Sequence, residues 1–331
     1  MNRSNLPICP SFSYALYGTM GSIHRVICKG VEDLSQRVAF LFVLVGAILW
    51  GTTGTAQTFL PQTVHPLGVG ASRLAVGGFS LLLVLLVMRK ISFQGWPWRP
   101  TIYAAVSMAL FQYFFFTSVR LTGVAIGTVV TIGSAPVFSG IIEWIVVKRR
   151  PTPVWVMATF MAIIGCSLLF LNKGGVVVNP IGVGMSLVAG TLFATYTLVN
   201  KDVLEKVAPT PAVAVIFSFS AIMLMPFLFA VETDGLWTVN GLLVVLFLGW
   251  ATTTIAYILF SMGLQHIPSS SAVTLSLAEP LTAALLSVII VGERLAPLSW
   301  VGVLLLLGGI IVLTLGSRKR VLATNEKQVI S

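Results

Sequence analysis

Charged residues are scarce in this chain of 331 residues, and their scarcity excludes several classes of protein. Asp, Glu, Lys and Arg make up 9% of the chain, whereas an ordinary soluble domain has about 25%. The chain therefore lacks the polar surface that a soluble enzyme of this length needs. The mean hydropathy of +0.97 is also the reverse of an intrinsically disordered composition.

The residues that form metal, redox and nucleotide sites are also few. Cys9, Cys28 and Cys166 cannot form a closed disulfide framework and are not in a CxxC spacing. The three histidines are not clustered, and no GxxxxGK[ST] stretch for binding ATP is present. We therefore expect no metal and no cofactor. A polytopic membrane enzyme, which would need convergent acids or metal ligands, is a weaker alternative.

Long apolar runs are abundant. A helix needs about 20 apolar residues to cross the hydrocarbon core of a membrane. Ten runs of this kind occur, at residues 38–57, 67–88, 101–118, 124–147, 154–171, 181–200, 209–230, 241–263, 269–291 and 298–315. The sequence thus predicts an all-α integral membrane protein with ten transmembrane helices. Residues 1–37 lack the apolar core of a signal peptide, so we expect an N-terminal cytoplasmic arm there and a cytoplasmic C-terminal tail at 316–331.

The basic residues indicate the orientation of these helices. With both termini in the cytoplasm, 16 of the 20 Lys and Arg residues fall on the cytoplasmic side. Three fall outside, namely Arg120, Lys173 and Arg294, and Arg73 lies within the second run. This bias follows the positive-inside rule. The net charge of +10 therefore indicates a multi-pass protein of the cytoplasmic membrane, with the lipid bilayer as its partner and no nucleic acid.

The two halves of the chain are related by an internal repeat. A shift of 144 residues without gaps places the first five runs on the last five. The matched residues include Tyr113 with Tyr257, Pro136 with Pro280 and Gly165 with Gly309. Because each half has an odd number of spans, the second half enters the membrane from the opposite face. Inverted repeats at 38–171 and 180–315 are typical of secondary transporters, whose solute site lies near the midplane.

Short stretches in both halves resemble a known family. They are Leu49-Trp50-Gly51-Thr52, His65-Pro66 followed by Arg73, Ala135-Pro136-Val137-Phe138, Ala278-Glu279-Pro280-Leu281 and Gly292-Glu293-Arg294-Leu295. Over about residues 38–315 the chain is similar to the EamA-type members of the drug/metabolite transporter superfamily. The resemblance implies ten helices, carriage of small metabolites, usually outward, and a cavity lined mainly by helices other than the fifth and tenth. The first half departs from the pattern, because Lys148-Arg149-Arg150 stands where Gly-Glu-Arg would.

Few ionisable residues lie within the apolar runs, and these are the first candidates for a site. Arg73 lies about two turns into the second run, where burying a charge costs about 2.5 to 3.5 kcal/mol. We expect it to face a polar cavity, with snorkelling to the outer headgroups as the alternative. Glu279, near the middle of the ninth run, is expected to bind solute or couple protons, unless it is a structural partner of Arg73. Glu143, about one turn from Lys148, is expected to be an interfacial partner of the basic run Lys148-Arg149-Arg150, with a functional role as the weaker alternative.

Aromatic and polar residues on other helices are the next candidates for the cavity wall. They are Trp50, Gln112, Tyr113, Tyr196 and Tyr257, although each is also compatible with ordinary packing. Tyr and Trp combine a flat apolar face with one hydrogen-bonding group. Pro136 and Pro280 remove backbone hydrogen bonds in mid-membrane, so we expect helix breaks that line the cavity, with packing kinks as the alternative.

The function predicted from these features is secondary transport. We expect export of a small organic metabolite, such as an amino acid-like solute, by proton-coupled alternating access across the cytoplasmic membrane. A channel-like facilitator remains the alternative, besides the membrane enzyme. Small residues in the fifth and tenth runs predict close helix contact, either within one chain or between the subunits of a homodimer.

Overall fold

The computed structural model describes residues 20–61, 63–170, 179–292 and 296–330. Within these ranges the chain forms ten helices and one short 3₁₀ turn, Asp234–Trp237. The helices are α1 (Met20–Gln57), α2 (Pro66–Val87), α3 (Trp98–Gly123), α4 (Ile126–Val146), α5 (Pro153–Phe170), α6 (Pro180–Leu204), α7 (Pro209–Leu228), α8 (Val239–Leu264), α9 (Ser269–Ile290) and α10 (Pro297–Ile330).

Nine of the ten described helices are long and apolar enough to cross a membrane. The apolar stretch of α5, Pro153–Leu169, is shorter, at the lower end of the range of about 17 to 25 residues seen in spanning helices. The all-α, ten-helix prediction is confirmed. Helix α1 begins at Met20, inside the predicted arm, and α10 continues to Ile330 through the predicted tail. Residues 1–19, Lys173 and the stretch 293–295 lie outside the described residues.

Local sequence sets where several helices begin. Proline occupies the first position of α2, α6 and α7, where its missing N–H breaks no hydrogen bond. Ahead of α6, the side chain of Asn179 accepts hydrogen bonds from the N–H groups of Ile181 and Gly182, at 3.0 and 3.3 Å. Gly123 separates α3 from α4 at a φ of +83°, a left-handed conformation that favours glycine.

Helix packing repeats between the two halves. Helix α1 packs on α8. Their counterparts in the repeat, α6 and α3, also pack on each other. Helices α2 and α7, α4 and α9, and α5 and α10 are each packed against their own counterparts. Each helix contact of the first half thus has an equivalent contact made by the matching helices of the second half, as expected of two inverted repeats.

Helices α5 and α10 approach closely through small residues. A Cβ added to Gly302 would lie 2.6 Å from the carbonyl oxygen of Gly165, and one added to Gly309 would lie 2.8 Å from that of Ala158. Such distances leave no room for a side chain. The close contact predicted from the small residues is thus made within one chain.

Two helices of the second half are irregular where their counterparts are not. Helix α8 contains π-helical turns over Leu248–Ile255. Helix α9 is interrupted between Ser269–Leu275 and Ala278–Leu286, just ahead of Pro280. The helical backbone continues through Pro136 in α4, so the helix break predicted at that residue is wrong. One missing N–H weakens a helix without ending it when the neighbouring turns are well packed.

Candidate functional site

A cavity of about 560 Å³ lies between the helices. Gly54 and Thr58, near the end of α1, are exposed and lie at its mouth, with Pro66 at the start of α2. Trp50, Phe193 and Tyr257 line its deeper part. We call the end of the bundle with this mouth the open end. Among the described residues, α5 contributes Leu169 to the lining and α10 contributes none.

Arg73 and Glu279 both line this cavity. Arg73, on α2, is 8% exposed, and Glu279 on α9 is half-buried. The ion pairs within 4.0 Å in the described chain include none between these two side chains. Their charges nevertheless act on each other, and both act on Tyr257. Opposite charges thus face one space without neutralising each other by direct contact.

Several polar atoms on the cavity-lining side chains have no partner within the described protein. They are Trp50 Nε1, Thr53 Oγ1, Arg73 Nε, Thr131 Oγ1 and both amide atoms of Gln112. Buried polar groups are almost always hydrogen-bonded, so a cluster of unpaired ones requires an explanation. Here the donors and acceptors suit a polar molecule inside the cavity.

The deeper wall is aromatic. The rings of Trp50 and Tyr257 have centroids 4.6 Å apart, and those of Trp50 and Phe193 are 6.0 Å apart in an edge-to-face arrangement. Such a wall accepts the apolar part of a small solute or a cation placed over a ring.

Two predicted wall residues lie elsewhere. Tyr196 is fully buried behind Tyr257, with ring centroids 6.0 Å apart, and is not among the lining residues. Tyr113 packs against Phe227 with centroids 5.3 Å apart, away from the cavity. Although Tyr113 matches Tyr257 in sequence, the π-helical turns of α8 rotate the residues that follow them relative to the regular helix α3. Equal positions in the repeat therefore point in different directions.

The matched prolines do not line the cavity, but their neighbours do. Ala135 and Glu279, which precede the prolines, both line it. So do Ile132 and Ser276, whose carbonyls lose the hydrogen bond that proline cannot donate. In α9 the Ser276 carbonyl accepts from the Glu279 N–H instead, at 2.9 Å. The prolines thus affect the cavity wall indirectly, by removing the helical hydrogen bonds of backbone carbonyls in residues that line it.

A polar face of α9 was missing from the sequence prediction. Ser276, Glu279, Ala283 and Ser287 all line the cavity. Their spacing of three, four and four residues is that of one helical face, and this signal was available in the sequence. Phe111, Phe115 and Phe116 also line the cavity. Their run is apolar on all sides, so its periodicity did not single out a face.

Polar contacts close the opposite end of the bundle, which we call the closed end. Glu143 Oε2 accepts a hydrogen bond from the Ser270 N–H at 2.9 Å, and Glu143 Oε1 lies 3.9 Å from Arg149 Nη1. Lys201 Nζ donates to the carbonyl of Ile267 at 2.5 Å. Within the basic run 148–150, Arg149 is thus the residue that Glu143 approaches. The hydrogen bond from the Ser270 N–H is a second contact, which the sequence did not predict.

His65 occupies the open end. Its Nδ1 accepts from the Leu67 N–H at 3.1 Å, which caps α2, and its Nε2 lies 2.5 Å from Arg120 Nη1. Partial burial lowers the pKa of His65, the charge of Arg120 lowers it further, and the charge of Glu232 opposes this. The neutral imidazole is thus the favoured form.

Comparison with protein families decides the class. The family model described as the EamA-like transporter family matches residues 37–171 and 180–315. The chain belongs to the EamA-like transporter family. As members of a transporter family, such proteins move solutes rather than catalyse reactions, and this one is a multi-pass membrane protein.

Individual relatives of this family member support the assignment. The chain is 45% identical over 280 residues to a Bacillus subtilis (strain 168) protein named "Uncharacterized transporter YwfM", covering 85% of this chain and 95% of that one. It is 27% identical over 291 residues to "Threonine/homoserine exporter RhtA" of Escherichia coli (strain K12), covering 85% and 90%. One crystal structure aligns with a TM-score of 0.75 at 20% identity, covering 85% of this chain and 98% of that one. This last likeness concerns the fold alone.

Proposed function

We propose that this protein is a secondary carrier that exports a small amino acid-like solute by alternating access. The observation that carries the proposal is the presence of Arg73 and Glu279 in one cavity, unpaired with each other and surrounded by polar atoms without partners. The relative named as a threonine/homoserine exporter supports the same solute class.

Each part of such a solute finds a complementary group. Arg73 would bind the carboxylate, because a guanidinium donates several hydrogen bonds in a fixed geometry. Glu279 would bind the ammonium group, and the wall formed by Trp50 and Tyr257 would contact the apolar part. A volume of about 560 Å³ lies within the range of about 300 to 1,000 Å³ typical of small-molecule sites.

The basic residues assign the two ends of the bundle. Arg89, Lys90 and Arg99, together with residues 148–150, lie between helices that meet at the closed end. The positive-inside rule places this end in the cytoplasm, with both termini on the same side of the cytoplasmic membrane. On this assignment the open end faces outward, which supports an outward-facing state of the proposed carrier.

Transport into proteoliposomes tests the proposal. A panel of amino acids, amines, sugars and nucleosides would be offered with and without a pH gradient. We expect uptake of amino acids, with accumulation driven by the pH gradient because Glu279 exchanges protons. Equilibration without any response to the gradient would indicate a facilitator instead.

Charge-removing variants connect this assay to the site. Arg73→Gln and Glu279→Gln should each lower transport efficiency at least about 30-fold, because each leaves one charge of the solute without a partner. Lys90→Gln and Glu205→Gln are matched controls, since both residues are exposed and remote from the cavity. Unchanged affinity and pH profile in Glu279→Gln would overturn the role of this carboxylate.

A further inference from the structure

At the closed end, two charged side chains form hydrogen bonds with the backbone of another helix or turn. Glu143, only 5% exposed, reaches from α4 to the backbone of Ser270 in the first turn of α9. Lys201 reaches from α6 to the carbonyl of Ile267, in the turn between α8 and α9. Both side chains bind the backbone around the start of α9. Their opposite charges also attract each other.

The repeat places counterparts of these residues at the open end. The shift of 144 residues relates Glu143 to Ser287 and Lys201 to Gln57. It also relates Ser270 and Ile267 to Ile126 and Gly123, which lie around the start of α4.

At the open end these counterparts are not engaged in the same way. Gln57 and Ser287 line the open cavity. The Ser287 hydroxyl donates to the carbonyl of Ala284 in its own helix, at 2.9 Å. The described hydrogen bonds include none from Gln57 or Ser287 to Gly123 or Ile126. Equivalent positions are thus hydrogen-bonded across helices at one end of the bundle, whereas the described residues show no such hydrogen bond at the other.

We infer that Glu143 and Lys201 form an inner latch on the start of α9, and that Gln57 and Ser287 form the matching outer latch on the start of α4. This inference rests on the proposed alternating access. The inner latch stabilises the proposed outward-facing state. When it opens, the repeat relation brings the outer latch residues into the same contacts, which stabilises the inward-facing state.

The two latches differ in strength because their chemistry differs. The inner latch uses a carboxylate and an ammonium group, whereas the outer latch uses an amide and a hydroxyl. Hydrogen bonds to ionised groups are roughly twice as strong as those between neutral groups. The protein at rest therefore favours the outward-facing state, and the inward-facing state is the minor one.

Two thiol reporters measure this minor state without any transported solute. The background carries Cys9→Ser, Cys28→Ser and Cys166→Ala. The first reporter is Ser269→Cys, a position 1% exposed at the closed end, labelled from the cytoplasmic side of inverted vesicles with a membrane-impermeant maleimide. The second is the pair Ser287→Cys and Ile126→Cys, joined by a short bis-methanethiosulfonate when the open end closes.

Glu143→Gln keeps the shape of the side chain and removes its charge. Adding it should raise both the labelling rate of Ser269→Cys and the cross-linking rate at the open end by about tenfold, because a hydrogen bond to a charged group is weakened. The exposed Glu232→Gln, remote from the inner latch, should leave both rates unchanged. If Glu143→Gln does not yield folded protein by size-exclusion chromatography, Lys201→Gln is used with the same expectation and the exposed Lys206→Gln as its control.

The two readouts separate the possible failures. Unchanged rates in both reporters would overturn the latch, and so would faster labelling at the closed end without faster cross-linking at the open end, which indicates local fraying. A failure of every solute in the transport assay would reject the proposed solute while leaving a positive latch result intact. Transport of amino acids with no response of the reporters would reject the latch alone.

Discussion

The two halves of the molecule share their scaffold and differ in chemistry at equivalent positions. Arg73 of the first half corresponds to Phe217 of the second, which is fully buried against Tyr257. Glu279 of the second half corresponds to Ala135 of the first, and both line the cavity. The shared features are helix order and packing, which alternating access requires. The departures from the repeat supply the charges in the cavity, and under the proposed function these charges select the solute.

The pair Ala135 and Glu279 gives the sharpest test of this comparison. Glu279→Ala should lower transport efficiency at least about 100-fold, because the ammonium group of the proposed solute loses the one carboxylate among the described lining residues. Adding Ala135→Glu to this variant returns a carboxylate at the equivalent point of the other half. We expect the transport efficiency of the double variant to be at least about tenfold higher than that of Glu279→Ala. It is measured from initial uptake rates over a range of solute concentrations.

A neutral version of the same exchange is the control. Glu279→Ala combined with Ala135→Gln has the same side-chain size at residue 135 but no charge, and it should remain as inactive as the single variant. Equal recovery with glutamine would show that volume, and not charge, is restored at this position. The chemical difference between the halves would then lie elsewhere.

Tyr113 and Tyr257 test a difference in geometry. The two residues are equivalent in sequence, yet only Tyr257 lines the cavity. Tyr257→Phe should raise the solute Kd about fivefold, the effect of losing one neutral hydrogen bond, whereas Tyr113→Phe should leave it unchanged. Binding measured by scintillation proximity or calorimetry distinguishes them, and equal effects of the two changes would contradict the placement of Tyr113.

These examples show what can be predicted from such a sequence. The membrane fold follows from apolar runs and basic loops, which are local signals. Arg73 and Glu279 stand out because charges in apolar runs are rare and costly. The different orientations of Tyr113 and Tyr257 could not be predicted, because π-helical turns in α8 change the direction of the residues that follow them, including Tyr257. The hydrogen bond between Glu143 and Ser270 joins residues far apart in the chain, so it could not be predicted from a local sequence pattern.

The smallest expected effect concerns the two ends of the bundle. His65 caps α2 at the open end, while its counterpart Pro209 begins α7 at the closed end and cannot titrate. The pKa of His65 is lowered by burial and by Arg120, so the unfolded chain binds a proton more readily than the folded one. The stabilisation from neutral His65 is therefore complete above the ordinary histidine pKa of about 6.5 and is lost as the pH falls below it.

Thermal unfolding in detergent between pH 8 and pH 5 measures this effect. His65→Asn keeps a side chain that can cap the helix and removes the titration. The Tm of the native protein should fall below that of the variant as the pH drops through about 6.5, and the two curves should run in parallel above this value. Curves that stay parallel down to pH 5 would contradict the role of His65, since partial burial of its ring and the nearby charge of Arg120 both disfavour the protonated form.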